Sequence, residues 1–222
     1  MLLAIPVSRS DVAKLGKMVE LIKKFGPYPR HVLAFIPDVT VEQPAKEAIT
    51  QLSPLFSRAE LLTVNLSGAQ GWPLASNKHF KLAAGKIHGL GIREAFYFFE
   101  LDCAPMCAGW LDRIHDEYVE MNKPHMGVVV PTRGFQNTPQ GRVPTLGEPH
   151  MVGTGIYPPN LYAYSVKIHH IDRVAPFSGM PVEPFDVAMR HEIVPNSHST
   201  KLIQHLWRTC NFRKEGDSIV CD

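Results

Sequence analysis

Residues 94–110, EAFYFFELDCAPMCAGW, constrain the fold more than any other stretch of this 222-residue chain. An aromatic run typical of a buried strand ends there in Glu100-Leu101-Asp102, and a proline and a glycine then turn the chain towards a helical pattern. Because side chains alternate along an extended strand, we expect Glu100 and Asp102 on one side and Leu101 in the core. Paired carboxylates are costly without a divalent cation, an arginine or a shared proton between them, and a cation is the working hypothesis.

The composition indicates a globular chain with a large core. Hydrophobic residues make up 45% of the sequence, and the net charge of +2 does not by itself indicate a nucleic-acid binder. The length of 222 residues favours one α/β domain. The four cysteines include no Cys-x-x-Cys pair, so we expect reduced thiols and a cytoplasmic protein. The apolar run at residues 2–7 is too short for a signal peptide or a membrane span.

Strand-like and helical patterns alternate through the first half of the chain. Predicted strands cover residues 2–7, 31–37, 61–66 and 94–99, and predicted helices cover residues 12–25, 41–56 and 77–90. Ser8 and Asp11 have the spacing of a capping box before the first helix. Such alternation predicts a largely parallel sheet covered by helices on both faces. Ligands in such sheets bind at the carboxyl ends of the strands, where the acid pair lies.

The second half is less regular. A helix is predicted at residues 110–119, a strand at 125–131, a strand-like run at 151–159 and a short helix at 161–166. Residues 132–149 show no periodicity and contain several glycines and prolines, so we expect a long mobile loop that closes over the site.

Five motifs resemble those of a known family. They are GWPLASNKHFK at 71–81, ELDCAPMCAGWL at 100–111, GTGIYP at 153–158, PFDVAMR at 184–190 and TKLIQHLWR at 200–208. Together they resemble small GT-A-type nucleotide-sugar glycosyltransferases associated with viral and phage genomes. The resemblance implies one Rossmann-like GT-A domain, in which residues 1–102 bind the nucleotide sugar and residues 103–222 bind the acceptor and perform catalysis.

The family uses a divalent metal, Mn²⁺ or Mg²⁺, to neutralise the diphosphate of the donor, for which a UDP-sugar is favoured. The resemblance implies that Asp102 binds the metal directly, while Glu100 contacts it through water or holds the ribose. A further ligand is expected from His205, with His198 as the alternative. Without a metal, the two acids would instead cap the following helix and pair with Arg113 or Lys86.

The resemblance also implies a set of donor contacts: Pro6, Val7, Ser8, Trp72, Asn77, Lys81, Gly153, Thr154, Lys201 and Arg208. Asn77 could equally cap a helix, and Lys201 could lie on a solvated face. Asp186 is expected to be the catalytic base that takes the acceptor proton, with Glu183 as the alternative. The other interpretation of Asp186 is an acid placed at a helix start by the helix dipole.

The viral association suggests 5-hydroxymethylpyrimidine in DNA as the acceptor. Arg133, Arg142, Arg190 and the pair Arg213-Lys214 would then follow the phosphate backbone. A glycan or other small acceptor is the alternative. Two other classes stay open: a nucleotidyltransferase or phosphohydrolase that uses the same acids, and a non-catalytic nucleotide-binding domain. No membrane partner is expected, and the sequence does not indicate the oligomeric state.

Overall fold

The computed structural model describes residues 1–69, 71–139, 141–172, 182–203, 212–215 and 218–221. The main sheet contains β1 (Leu2–Val7), β2 (Tyr28–Pro37), β3 (Phe56–Leu61), β4 (Phe96–Phe98), β5 (His125–Thr138), β6 (Gly141–Tyr157) and β7 (Ser197–Ser199). The strands β8 (Phe212–Glu215) and β9 (Ser218–Cys221) form a separate pair. The helices are α1 (Val12–Phe25), α2 (Glu42–Leu52), α3 (Leu74–Gly89), α4 (Trp110–Met121), α5 (Leu161–Tyr164), α6 (Phe185–Ala188) and α7 (Arg190–Ile193).

The main sheet has the strand order β3-β2-β1-β4-β6-β5-β7. Strands β1, β2, β3 and β4 run parallel, β6 is antiparallel to both β4 and β5, and β7 is parallel to β5. The predicted α/β fold with a largely parallel, mixed sheet is therefore confirmed. The chain leaves β1 for β2 on one side and later returns to β4 on the other, which creates a crevice beyond their carboxyl ends.

Alternation along the central strand explains why both faces of the sheet are covered. Leu3 and Ile5 point into an apolar cluster formed with α1, α2 and α4, while Leu2 and Ala4 point into a second cluster formed with α3 and α6. Because both faces of the sheet are covered at β1, all of its residues are buried, and its sequence is a continuous apolar run. No helix in the described part of the chain is long and apolar enough to cross a membrane.

The predicted loop at residues 132–149 was wrong. This segment forms the outer part of the β5–β6 hairpin, in which Thr138 pairs with Gly141 and Pro131 with Pro149. Strand β7 pairs with β5 only at residues 125–127, and β4 pairs with β6 only at residues 155–157. Beyond those residues no other strand of the described ranges pairs with the outer edge of either hairpin strand, and a proline facing such an edge has no ladder hydrogen bond to lose. The prolines that indicated a loop are therefore compatible with the strands.

The third predicted strand was displaced along the chain. Strand β3 ends at Leu61, where the prediction begins; beyond it the Leu62 N–H donates to the Phe35 carbonyl at 2.8 Å, and Val64 forms an isolated bridge with Asp38. Leu62 and Val64 are buried all the same, because they pack against α3. An apolar sequence here marks burial rather than regular strand pairing. The predicted capping box is present, with the Ser8 backbone N–H donating to Asp11 at 3.2 Å.

Candidate functional site

The two acids lie in a turn rather than in a strand. Strand β4 ends at Phe98, and the backbone N–H of Cys103 donates to the Glu100 carbonyl at 3.0 Å. Leu101 is buried as predicted, but strand alternation is not the reason that both carboxylates face the same space. The turn places Glu100 and Asp102 together in the walls of two cavities.

The larger cavity, of about 930 Å³, lies beyond the carboxyl ends of the parallel strands. Ser8 follows β1, Asp38 follows β2, Asn65 lies shortly after β3 and Glu100 follows β4, and all four line the cavity. Its remaining polar and charged lining residues are Arg9, Ser10, Asp11, Lys14, Thr40, Ser67, Ser76, His79 and Asp102. This space has the size and the polar groups that a nucleotide needs.

The smaller cavity, of about 430 Å³, lies between the sheet and α4. Its walls are mostly apolar, aromatic or sulfur-containing: Tyr97, Phe99, Cys103, Pro105, Met106, Cys107, Trp110, Ile114, Val128, Val152, Leu202 and Ile203. Arg113 and Thr154 add polar groups, and the remaining lining residue outside the acid pair is Ala104. The residues common to both cavities are Glu100 and Asp102.

Burial and a neighbouring charge both act on Glu100. Desolvation and, to a smaller extent, the charge of Asp102 together raise the pKa of Glu100 to about 7, against the opposing effect of the hydrogen bond from Thr154. Within the part of the chain that the structure describes, neither acid of the pair forms an ion pair. Arg113 donates instead to the carbonyl of Ala108, so it does not neutralise the acids as the alternative prediction required.

The two acids also do not cap a helix, because α4 begins at Trp110 with Gly109 at its cap. The donor set they offer fits a hard divalent cation. Mg²⁺ is commonly held by one or two carboxylates together with substrate phosphates, and Glu100 and Asp102 supply such a pair. Among the described residues no group of three or more His, Cys, Asp or Glu side chains could hold a metal. Phosphate oxygens of a substrate would therefore have to complete the ion's coordination.

Of the two histidines proposed as metal ligands, His198 lies within the described residues and can be assessed. His205 lies outside the described residues. His198 lies on β7, and its Nε2 is 2.8 Å from Oε1 of Glu117 on α4. Thr200 donates to the other oxygen of that carboxylate. His198 is thus part of a contact between β7 and α4, away from the acid pair.

Two neighbouring residues of strand β6 donate hydrogen bonds to Glu100 and Asp186. The Thr154 hydroxyl donates to Oε2 of Glu100 at 3.0 Å, and the Gly153 N–H donates to Oδ2 of Asp186 at 3.2 Å. A Cβ at position 153 would lie 2.7 Å from Cζ of Phe185. Glycine is therefore required here by packing against Phe185, and no contact with a donor needs to be invoked.

Asp186 is largely buried near the start of α6 and lines neither of the two cavities. Burial raises its pKa, while His150, whose Nε2 lies 3.8 Å from Oδ2, and three backbone N–H groups lower it. Its charge in turn raises the pKa of Glu100. Asp186 therefore acts electrostatically on Glu100, but it contacts Gly153 of β6 and lies outside the lining of both cavities. Glu183, the alternative base, pairs with Arg190 at 3.3 Å.

Several predicted donor contacts have other partners in the structure. Asn77 is fully buried, and its amide donates to the carbonyls of Ile171 at 2.6 Å and Glu183 at 2.8 Å. It lies inside α3, which begins at Leu74, so it is not a cap. Lys81 donates to the His169 carbonyl and pairs with Asp172 at 2.8 Å. These side chains connect α3 to the segments that pack on it.

The other predicted contacts have four different outcomes. Pro6, Ser8 and Trp72 line the larger cavity, and Trp72 is 77% exposed there. The side chain of Val7 is fully buried in the core. Lys201 is exposed in a bend after β7. Arg208 lies outside the described residues.

Asp38, Asn65 and His79 also line the larger cavity, although the sequence patterns did not indicate them. Asp38 is held rigidly, since it accepts hydrogen bonds from the Leu66 N–H at 2.9 Å and from the Thr40 hydroxyl at 2.5 Å. Its position directly after β2 was a usable signal, because polar residues that end neighbouring parallel strands meet at one edge. His79 gave no such signal, because its position in a helix resembles that of a core residue.

No protein-family model and no curated protein matches this chain. Among solved structures, that of S. aureus TarS residues 1–349 is similar, with 12% identity and a TM-score of 0.43 over 73% of this chain and 48% of that one. Mouse xyloside xylosyltransferase 1 in its apo form shows 10% identity and a TM-score of 0.41, over 77% of this chain and 71% of that one. The chain thus spans about half of the TarS structure. With TM-scores below 0.5, the function has to be argued from the site itself.

Proposed function

We propose that this protein is a metal-dependent glycosyltransferase that moves a sugar from a nucleotide-sugar donor to a hydroxyl acceptor. The observation that carries the proposal is the position of Glu100 and Asp102. Both carboxylates lack an ion-pair partner within the described residues, and they stand at the strand-end crevice of a parallel sheet between two cavities. Such a pair is stabilised when a divalent cation and a diphosphate bind beside it.

The larger cavity is the proposed donor site. Its volume of about 930 Å³ is within the range of small-molecule sites, and strand-end polar groups supply hydrogen-bond donors and acceptors. Arg9 and Lys14 contribute positive charge to the same cavity, but Lys14 pairs with Asp11 at 3.3 Å and the carboxylates of the lining outnumber the cations, so a diphosphate would have to bind together with a metal ion. The exposed ring of Trp72 offers a face on which a nucleotide base could stack. A UDP-sugar is the donor that the family resemblance favours.

Asp102 is the proposed direct metal ligand, and Glu100 supports it. When bound, the ion would act as a Lewis acid that neutralises charge on the leaving diphosphate. Thr154 fixes the carboxylate of Glu100 through its 3.0 Å hydrogen bond, so the oxygen atoms are oriented before a ligand arrives. His205 remains the proposed additional ligand from the sequence, and Lys201 and Arg208 remain proposed diphosphate contacts.

Asp186 is the proposed base. Burial raises the pKa of Asp186, as suits a base, but Asp186 lines neither cavity, so it would take the proton of the acceptor hydroxyl through one intervening water molecule. Glu100 has a raised pKa as well, but we assign it to the metal. During transfer the acceptor oxygen bonds to the anomeric carbon as the bond from that carbon to the diphosphate breaks. The hydroxyl proton passes to the base. A 5-hydroxymethylpyrimidine in DNA is the acceptor suggested by the resemblance.

A thermal-shift panel tests the proposal. The wild-type protein is heated with UDP, UDP-glucose, UDP-galactose, GDP-mannose and ATP, each with and without Mn²⁺. We expect stabilisation by a UDP ligand that requires Mn²⁺ and is lost in Asp102→Ala. Asp116→Ala is the matched control, because Asp116 is exposed and pairs with Arg30 on the surface. Indifference to every nucleotide would rule out the proposal. If a separate activity assay shows that the protein hydrolyses ATP and transfers no sugar, the two acids would instead serve phosphoester hydrolysis.

A further inference from the structure

The smaller cavity has no role in donor binding as proposed above. Its volume of about 430 Å³ is within the range of small-molecule sites. Because Glu100 and Asp102 stand in the walls of both cavities, a molecule in the smaller cavity would meet a donor at these carboxylates. The geometry is that of two binding sites sharing one reactive position.

Aromatic and sulfur-containing side chains dominate the walls. The ring of Trp110 packs 5.3 Å from that of Phe99 and 6.2 Å from that of Tyr97, measured between centroids. Met106 and Cys107 add polarisable sulfur atoms. Sulfur and aromatic edges both interact favourably with aromatic rings, so these walls favour a flat ring over a fully hydroxylated sugar.

The hydroxyl of Tyr97 has no hydrogen-bond partner within the described part of the chain, although the residue is only 2% exposed. The Tyr97 oxygen is not one of the fully buried unpartnered atoms of the described residues, so water in the cavity can reach it and a bound molecule could replace that water. Since Tyr97 lines the cavity, an oxygen atom of a bound molecule would provide the missing partner. The Tyr97 hydroxyl is therefore a polar group in the cavity wall that can form a hydrogen bond with a bound molecule.

We propose that the smaller cavity binds the acceptor substrate and that this acceptor carries its hydroxyl on an aromatic ring or on a hydroxymethyl group attached to one. This inference rests on the proposed function, because it assigns the second substrate of the same site. Tyr97 positions the acceptor by hydrogen bonding to one of its oxygen atoms. The acceptor hydroxyl then faces the carboxylates, where the donor's anomeric carbon would lie.

Binding to the cavity can be measured without any donor. Cys107 lines the cavity, so a bound molecule should slow its alkylation by iodoacetamide, followed by peptide mass spectrometry. The probes are 2-naphthalenemethanol, benzyl alcohol, free 5-hydroxymethyl-2′-deoxycytidine and an oligonucleotide containing that base. Glucose serves as the non-aromatic control. We expect at least one aromatic probe to protect Cys107 and glucose not to.

Two test variants and one control make the result specific. Ala104 is exposed and lines the cavity, whereas Ala108 is also exposed and does not line it. Ala104→Trp should abolish protection, and Ala108→Trp should retain it. Tyr97→Phe keeps the ring and should raise the half-protecting concentration roughly two- to tenfold, the value of one lost hydrogen bond. Protection only by the oligonucleotide would place the aromatic ring in a polynucleotide, and protection by the free alcohols would place it in a small molecule.

Failure of this inference is distinguishable from failure of the proposed function. If a nucleotide sugar stabilises the protein but no aromatic probe protects Cys107, the inference is wrong and the proposed function stands. Equal protection by glucose, or no effect of Tyr97→Phe and Ala104→Trp, would also overturn it. If aromatic probes bind and no nucleotide does, the cavity remains a binding site for aromatic alcohols and the transferase proposal fails.

Discussion

Thr154 donates its single hydroxyl hydrogen to Oε2 of Glu100 at 3.0 Å, and Sγ of Cys103 lies 3.2 Å from the same hydroxyl oxygen. The hydroxyl thus links β6 to the turn that carries both acids. Because a partly buried carboxylate is costly without a hydrogen bond, this contact holds Glu100 in place as well as stabilising it.

Replacing Thr154 by valine should therefore affect both stability and the site. The substitution keeps the shape but removes the donor, which we expect to reduce the free energy of unfolding by about 1–3 kcal/mol. It should also weaken any Mn²⁺-dependent nucleotide stabilisation. Urea denaturation measures the first effect and thermal shift the second. Thr154→Ser retains the hydroxyl and should keep most of the unfolding free energy and most of the nucleotide stabilisation. An equal loss in the serine and valine variants would contradict a role for the hydrogen bond.

Asn77 should behave as a structural residue. Asn77→Ala leaves the carbonyls of Ile171 and Glu183 without their amide partner, so we expect a loss of about 1–3 kcal/mol in unfolding free energy. The affinity for nucleotides at a temperature where the variant is folded should be unchanged. Asn196→Ala, at an exposed amide, is the control and should cost little. A selective loss of nucleotide affinity would return Asn77 to the donor site.

Gly153 and Gly16 should respond to alanine in opposite directions. At position 153 the new Cβ would meet the ring of Phe185 at 2.7 Å, and overpacking of this kind costs about 1–3 kcal/mol. At position 16, inside α1, nothing lies within 4 Å, so alanine should stabilise by about 0.5–1 kcal/mol. Equilibrium denaturation of both variants tests this, and a neutral Gly153→Ala would show that Phe185 can move aside.

His125 should make the protein sensitive to acid. Burial lowers the pKa of His125 from 6.5 to about 4, so the neutral form is favoured in the folded state. Its contribution to stability is present above pH 6.5 and is lost as the pH falls towards 4. The loss amounts to about 3 kcal/mol at 1.36 kcal/mol per pKa unit.

The comparison is with His125→Gln, which cannot titrate but keeps a polar group near the Tyr164 hydroxyl. Because His31 and His79 also have lowered pKa values, both proteins should lose stability in acid. The wild type should lose more. Parallel curves for the two proteins between pH 7 and 4 would show that His125 does not contribute.

The acid pair, the first strand and the order of strands and helices could be predicted because each depends on local pattern. Apolar runs bounded by turn residues mark β1 and β2, and the capping box marks the start of the first helical segment. The β5–β6 hairpin could not be predicted in the same way. Residues 132–149 lack the alternation by which strands are recognised, and these strands are defined by the pairing of β5 with β6, which the pattern of either segment alone does not reveal.

The roles of individual site residues depended on contacts between distant parts of the chain. Asn77 bonds to a carbonyl 94 positions away, and His198 bonds to Glu117 across 81 positions. Contacts between residues so far apart in the sequence cannot be predicted from the spacing of neighbouring residues. The location of Asp38 at the site could have been predicted, because it directly follows β2 and the sequence already indicated a parallel sheet.

The central claim is that Asp102 and Glu100 support sugar transfer between the two cavities. The direct measurement is mass spectrometry of an acceptor panel incubated with the stabilising nucleotide sugar and Mn²⁺. We predict an acceptor whose mass increases by one glycosyl unit with wild-type protein and with Asp116→Asn, while Asp102→Asn gives at most a small fraction of that product. Product formation that is equal in Asp102→Asn and wild type would contradict the account.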